Sequence, residues 1–295
     1  MTEFKEKFIA YIDILGFKKL TEAAEKGTGP KLSELLEYTK ILGATGDKEG
    51  YKRYGITTCP ESETIETDID YQITQVSDCA VISVEISPGA IINLVSSCWT
   101  TVLYLLRQGL MCRGYITRGT IYHNGEQVVG TGYQEAYERE RGVSAFKRNA
   151  DERGTPFVEI DKMVTDYISD NGDDCVKKMF ERFVKRDGDV SALFPFKRLS
   201  HSFLIGGIGV KFDPKREKES NNNIRIGILE FKKRIQHHID TTNEDAVRKS
   251  EHYLSALDKQ LNHCDETDRI IDDLCKPFLT KRIIDLFKPD IDKRT

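Results

Sequence analysis

Two aspartates stand in apolar surroundings that ordinarily exclude charge. Residues 9–17 read IAYIDILGF, so Asp13 has Ile9, Tyr11, Ile12, Ile14, Leu15 and Phe17 as neighbours. A carboxylate buried alone costs several kcal/mol, so it must be paired or must bind a metal ion. Asp78 follows in QVSDCAVIS, at a Ser77-Asp78 corner between two β-rich runs. If the first run is a strand lying beside that hairpin, the two carboxylates converge. Two carboxylates and a backbone carbonyl suit Mg2+ or Mn2+, which keep positions open for substrate phosphates. Gly16 lets the backbone approach a ligand closely, and the helix that follows would point N–H groups at a triphosphate. Taken singly, an aspartate at a strand end also serves as a helix cap or an ion-pair partner.

The elements that must position these residues follow from periodicity. Residues 6–15 predict a mostly apolar and therefore central strand, broken by Gly16. Helices are expected over about 17–26 and 30–42, and polar 44–68 reads as an irregular insertion. YQITQVSDCAVISVEI, 71–86, reads as a hairpin. The next helix is opened by Pro88 and carries Ile91, Leu94, Val95, Cys98, Val102, Leu105 and Leu106 on one face. Asn93, Ser96, Ser97, Thr100, Thr101 and Tyr104 lie mostly on the other, so the uncharged stretch 86–108 reads as a core or interface helix rather than a membrane span. In CRGYITRGTIYHNGEQVVGTG, 112–132, Asn124-Gly125 is a two-residue hairpin signal. A short helix over 133–142 and a strand over 156–161 follow.

The order β-α-α-β-β-α-β-β-α-β predicts an α+β fold, an antiparallel or mixed sheet with helices on one face. Neither GxGxxG nor GxxxxGK[ST] occurs, which excludes the usual dinucleotide and P-loop sites. Beyond about 165 the character changes. Residues 203–212 and 224–232 read as strands around a charged loop, 213–223. Residues 244–263 read as a helix, with Val247, Leu254, Leu257 and Leu261 on a stripe, and 266–288 as a last helix interrupted near Pro277. A soft boundary at 165–200 gives a domain over 1–165 and a mixed α/β extension over 166–295.

The net charge of −4 and pI near 6 offer no basic field for nucleic acid or an anionic membrane. Seven scattered cysteines without a CxxC indicate neither a disulfide framework nor a zinc site, and fit reduced thiols in a cytoplasm. MTEFKEKF lacks the apolar core of a signal peptide.

YIDILGF closely resembles the first metal motif of the class III nucleotidyl cyclases, an Asp-Ile followed by Gly-Phe. VSDCAVIS resembles their second, with Ser77 in place of the usual Gly. RGYITRG, 113–119, is similar to the strand that follows, and VVGTGYQEAYERE, 128–140, to the segment carrying the ribose-binding and transition-state residues. The resemblance covers roughly residues 6–165 and is nearest to the stand-alone pyrimidine cyclases of bacterial Pycsar anti-phage systems. Those make cyclic CMP or cyclic UMP as an infection alarm. It implies a ferredoxin-like antiparallel sheet with helices, and Asp13, Asp78 and the Ile14 carbonyl holding two Mg2+ or Mn2+ ions. It implies substrate contacts at Gly16, Phe17 and Thr74, and a cytoplasmic homodimer with two sites acting on a nucleoside triphosphate. The product would reach a separate cyclic-nucleotide-responsive effector.

The departures from the family are specific. Gln134 and Glu138 stand where the purine enzymes have an Asn and, four residues on, an Arg. Gln134 can replace the Asn hydrogen bond, but Glu138 cannot stabilise a transferring phosphoryl group. Arg118 is the first candidate for the missing cation and Arg113 the second. Thr74, four residues before Asp78, replaces the base-reading Lys or Glu and fits neither purine. Tyr38, Tyr51 and Tyr54 could fill the space of a purine's second ring. Acceptors outnumber free cations around these motifs, which leans toward CTP over UTP. A purine cyclase with an unusual pocket, and a catalytically degenerate nucleotide-binding or dimerisation module, are the alternatives.

Overall fold

The strand at the N-terminus is apolar on both faces, and the fold follows from how each face is covered. The structure is a computed structural model that describes residues 2–43, 62, 69–196 and 212–275. In chain order its elements are β1 (Lys5–Ile14), α1 (Phe17–Glu25), α2 (Leu32–Gly43), β2 (Gln72–Val76), β3 (Cys79–Val84) and α3 (Pro88–Arg107). There follow β4 (Cys112–His123), β5 (Val128–Val129), α4 (Thr131–Glu140), β6 (Val158–Ile160), α5 (Lys162–Asn171) and α6 (Asp174–Phe183). Last come β7 (Val184–Asp187), β8 (Val190–Leu193), α7 (Pro214–His238) and α8 (Glu244–Leu274).

The protein is α+β, built on one mostly antiparallel sheet in the order β2-β3-β1-β4-β6-β8-β7, with β5 paired to β4. Among the described strands only β4 and β6 run parallel. Alternation along β1 explains the layers. Phe8, Ala10, Ile12 and Ile14 join the large core, with residues of α1, α2 and α3. Ile9 and Tyr11 point the other way and join Val81, Ile121 and Ala136 in a second, smaller core. That second core is covered by α4, so the expectation of helices on one face only is corrected: a short helix closes part of the opposite face.

The α3 helix starts where the sequence indicates, with the Ser87 side chain accepting from Ala90 N at 3.2 Å and Pro88 in its first turn. It is the described helix long and apolar enough to cross a membrane, and it is packed inside the protein. Its polar side is partly enclosed, with Tyr104 exposed. Asn93, Ser97 and Thr101 are buried, and the Thr101 hydroxyl donates to the Ser97 carbonyl at 3.1 Å.

Beyond residue 165 the sheet continues through β8 and β7, a pairing with no strong signal in the sequence. Residues 224–232, expected as a strand, lie in α7, and so does 214–223 of the expected loop 213–223. Asp213 caps this helix by accepting from Lys215 N and Arg216 N, with Pro214 behind it. Ile224, Ile228, Phe231 and Ile235 then recur at helical spacing against the core. The alternation in IRIGILEF satisfied a strand period over too short a window to decide. The expected strand over 203–212 lies almost wholly outside the described residues. The single helix α8 spans the expected gap near 263–266. Ion pairs Lys218–Asp272, Arg225–Asp265 and Lys232–Asp258 step by seven residues in opposite senses, the mark of an antiparallel helix pair in heptad register.

Cysteine chemistry is corrected at one position. Cys175 is disulfide-bonded, while Cys79, Cys98, Cys112, Cys264 and Cys275 are free.

Candidate active site

Asp13 lies near the end of β1, paired with Cys79 of β3 on one side and Arg113 of β4 on the other. The β2–β3 turn delivers Asp78 to the same place: Ile14 N donates to the Asp78 carbonyl at 3.0 Å. The turn is tight because Val76 pairs with Cys79 and Ser77 takes φ 55, the left-handed conformation that costs a side chain energy. The Asp78 charge is near enough to raise the Asp13 pKa. Burial is the largest cause, then Glu140, then Asp78, with Arg113 opposing; together they push Asp13 from 3.8 up to about 7.

Gly16 takes φ +78 at the start of α1, open space lies where its Cβ would be, and Phe17 is buried as the first helical residue. The backbone thus turns sharply beside Asp13 into the N-terminus of α1. Ile14, Gly16, Phe17, Asp13 and Asp78 are brought together at one end of the sheet.

Glu140, which the sequence reading passed over, belongs to the same site. Gly132, Ala136 and Glu140 form the stripe of α4 that faces the sheet, and all three are buried. A Cβ on Gly119 would lie 2.7 Å from Gly132 Cα, so these two glycines set how closely the helix approaches β4. Glu140 closes on Arg113, whose Nε donates to its carboxylate. A methyl group on Gly154 would overlap Arg113 Nη1, so the loop before β6 holds the guanidinium from the other side. The signal for Glu140 was its place eight residues after Gly132.

Other expected residues are placed elsewhere. Arg118 pairs with Phe8, five register steps from the Asp13–Arg113 pair, roughly 17 Å along the strand. The odd step count also turns it to the opposite face, where it donates to both oxygens of Glu6 at 2.9 and 2.8 Å. Within one chain Arg118 does not reach Asp13. Gln134 and Glu138 are exposed on the outer side of α4, away from Asp13 of their own chain. Tyr38 is buried in the large core, on the far side of the sheet from Asp13. Tyr51 and Tyr54 lie outside the described residues.

Thr74 shares the Asp13 face, in register with Val81, which pairs in turn with Tyr11. Its hydroxyl donates to the Gly125 carbonyl at 2.8 Å and lies 2.9 Å from His123 Nε2. His123 is a second residue the sequence reading missed. Its alternation with Ile121 at the end of β4, just before the Asn-Gly turn, places it on the buried side. Beside Asp13, Tyr11 packs edge-on against Tyr137 with ring centres 5.4 Å apart.

Among the described residues no group of three or more His, Cys, Asp or Glu side chains is arranged to hold a metal ion. The donor set here is different: two aspartates on adjoining elements, with the Ile14 backbone at the strand end beside them. The Asp78 charge adds to the cost of ionising Asp13 in a partly desolvated place, which a divalent cation would relieve. By that chemistry the residues fit Mg2+ or Mn2+. The sequence matches no protein-family model and no curated protein.

Proposed function

We propose that the protein is a homodimeric class III nucleotidyl cyclase that converts a pyrimidine nucleoside triphosphate, CTP or UTP, to its 3′,5′-cyclic monophosphate and pyrophosphate. The observation that carries this is the convergence of Asp13 and Asp78 at the end of β1, beside the left-handed turn at Gly16. The strand order β2-β3-β1-β4, with crossovers through the helices, supports a ferredoxin-like domain of that class. Asp13, Asp78 and the Ile14 carbonyl would hold two Mg2+ or Mn2+ ions, which when bound supply Lewis acidity at the ribose 3′-hydroxyl and the triphosphate.

The chain's own groups then do three things. The amides after Gly16 face the phosphates. Arg113, held between Glu140 and Gly154, supplies positive charge next to Asp13. The exposed stripe of α4 carries Gln134 toward a second copy, whose site it would complete by hydrogen bonding the ribose. In the reaction the 3′-oxygen gives its proton to solvent water and bonds to the α-phosphorus as the bond from that phosphorus to the bridging β-phosphate oxygen breaks and pyrophosphate leaves. Catalysis is then a matter of position and charge. In the cell such a product acts as an alarm read by a separate effector, which is the anti-phage role.

One observation favours a degenerate module instead: Arg113 and Arg118 are both tied to carboxylates, Glu140 and Glu6. Incubation with Mn2+ and each of the four labelled nucleoside triphosphates separates the readings. A cyclic pyrimidine monophosphate from the wild type, lost in Asp13→Ala and Asp78→Ala variants that remain folded, is the expected result. Full activity in either variant removes the two-carboxylate mechanism, and no product from any nucleotide favours the module.

A further inference from the structure

Where the C-terminal helix pair meets the turn that leaves β1, the packing leaves a cavity of about 230 Å3. That is many times the roughly 15 Å3 a single water needs, and a little under the roughly 300 Å3 at which sites for drug-sized ligands begin. Its apolar walls come from Leu15 and Leu20 before and within α1, Leu110 and Met111 before β4, and Ile239 and Ala246 around the α7–α8 connection. The side before β4 is fixed in place. A Cβ on Gly109, which takes φ +84, would overlap the Arg234 carbonyl, and Arg234 Nη1 donates to the Arg107 carbonyl at 3.0 Å. Leu15 N donates to the Met111 carbonyl at 2.9 Å, which joins two wall residues at the β1–α1 turn. Gly16 borders the cavity, but neither Asp13 nor Asp78 does, so the space is distinct from the carboxylate site.

Among the described residues, the charges around this apolar interior do not balance. Lys18, Lys19 and Lys249 border it as cations, Asp240 and Asp245 as anions. Both carboxylates are already engaged. Asp240 accepts from Lys19 Nζ at 3.1 Å and from the Thr242 amide and hydroxyl at 3.0 and 2.6 Å. Asp245 accepts from Lys249 Nζ at 2.6 Å and from Arg248. Lys18 has only a long surface contact with Glu22, at 3.9 Å. Burial, then His237, hold the His238 pKa below 6.5, so that ring adds no charge near neutral pH. Asn243 caps α8 in the same wall, and the amino-terminal end of that helix adds positive potential. An apolar interior with a weakly paired cation at its mouth suits a ligand that is mostly apolar and carries one negative charge. We propose that this cavity is a second binding site, for a small organic carboxylate built on one ring or a short acyl chain, and that its occupant braces the β1–α1 turn through Leu15. The inference stands apart from the cyclase reading.

The test uses the full chain carrying 13C-methyl methionine, because Met111 lies in the wall while Met163 and Met179 do not. Benzoate and hexanoate should each move the Met111 methyl resonance saturably, with a Kd of about 1 mM or tighter, and leave the other two in place. Benzyl alcohol and hexanol, which lack the charge, should bind at least about fivefold more weakly. Ala246→Phe, checked for folding by circular dichroism, should fill the space and abolish the shift. Lys18→Glu, at an exposed position, should weaken both carboxylates at least about threefold. Bound benzoate should slow hydrogen exchange at the Leu15 amide at least about threefold. No Met111 shift from either carboxylate, or a shift that survives Ala246→Phe, overturns the site. Alcohols that bind as tightly as the carboxylates overturn the ligand class. Binding without slower Leu15 exchange overturns the bracing.

Discussion

Replacing Asp13 with asparagine keeps the shape of the side chain and removes its charge, which isolates the cost of a carboxylate in the central strand. In the metal-free chain, burial first and then Glu140 and Asp78 push Asp13 from 3.8 to about 7 against the opposing Arg113. Between those values the folded chain keeps a proton that the unfolded chain has released. Stability therefore falls as pH rises through this window; the contribution is fully present below about pH 4 and lost above about pH 7. At about 1.4 kcal/mol per pH unit, the ceiling on the loss is about 4 kcal/mol, a large part of a domain's stability. Asp13→Asn has no such loss, so at pH 8 it should be the more stable protein by up to that amount, and near pH 4 the two should converge. Urea midpoints in EDTA from pH 4 to 8 measure this, and parallel profiles would refute the burial argument. Repeating the pH 8 measurement with Mn2+ tests the compensation. At a hundredfold excess over its Kd the ion should stabilise the wild type by about 2.7 kcal/mol. The asparagine variant should gain far less, and equal gains would show that Asp13 is not a ligand.

Two further substitutions probe the frame of the site. Gly154→Ala meets Arg113 Nη1 and forces a side chain onto φ +63, so it should cost about 1–3 kcal/mol in chemical denaturation and lower kcat by displacing the guanidinium. Ser77→Gly removes the left-handed penalty at the β2–β3 corner, and should raise stability by about 0.5–1 kcal/mol in the same assay with turnover unchanged.

The strand carrying Asp13 and the hairpin carrying Asp78 were legible because both depend on local pattern. An apolar run that ends at a glycine and two β-rich runs around a corner allow few arrangements. Arg118 lies away from Asp13 of its own chain by a rule that sequence distance hides. Neighbours on β4 alternate faces, so the five residues from Arg113 to Arg118 both lengthen the distance from Asp13 and reverse the direction of the side chain. Glu140 and His123 were missed because each acts through tertiary placement. Glu140 is reached only once α4 is known to cover the sheet, and His123 only once the end of β4 bends toward β2 and β3. In α7, eight residues with alternating apolar character fit either period, and its cap at Asp213 and pairing with α8 decided the outcome.

The C-terminal helices bear on the site through a short series of contacts. Tyr253 of α8 is buried in the same core as β1, and its hydroxyl donates to the Pro156 carbonyl. Its neighbour His252 meets the fully buried Glu152 carboxylate at 2.7 Å, while the other Glu152 oxygen accepts from Arg148 N at 2.8 Å. Gly114 N donates to the Phe157 carbonyl at 3.1 Å, which ties the same loop to β4 one residue after Arg113. Gly154 sits between these fastenings and presses on the Arg113 guanidinium. A displacement of α8 therefore cannot leave Arg113 where it is unless the loop breaks one of those bonds. Charge balance at Asp13 depends on that arginine, so residues more than a hundred positions away in sequence take part in holding the candidate site in its present form.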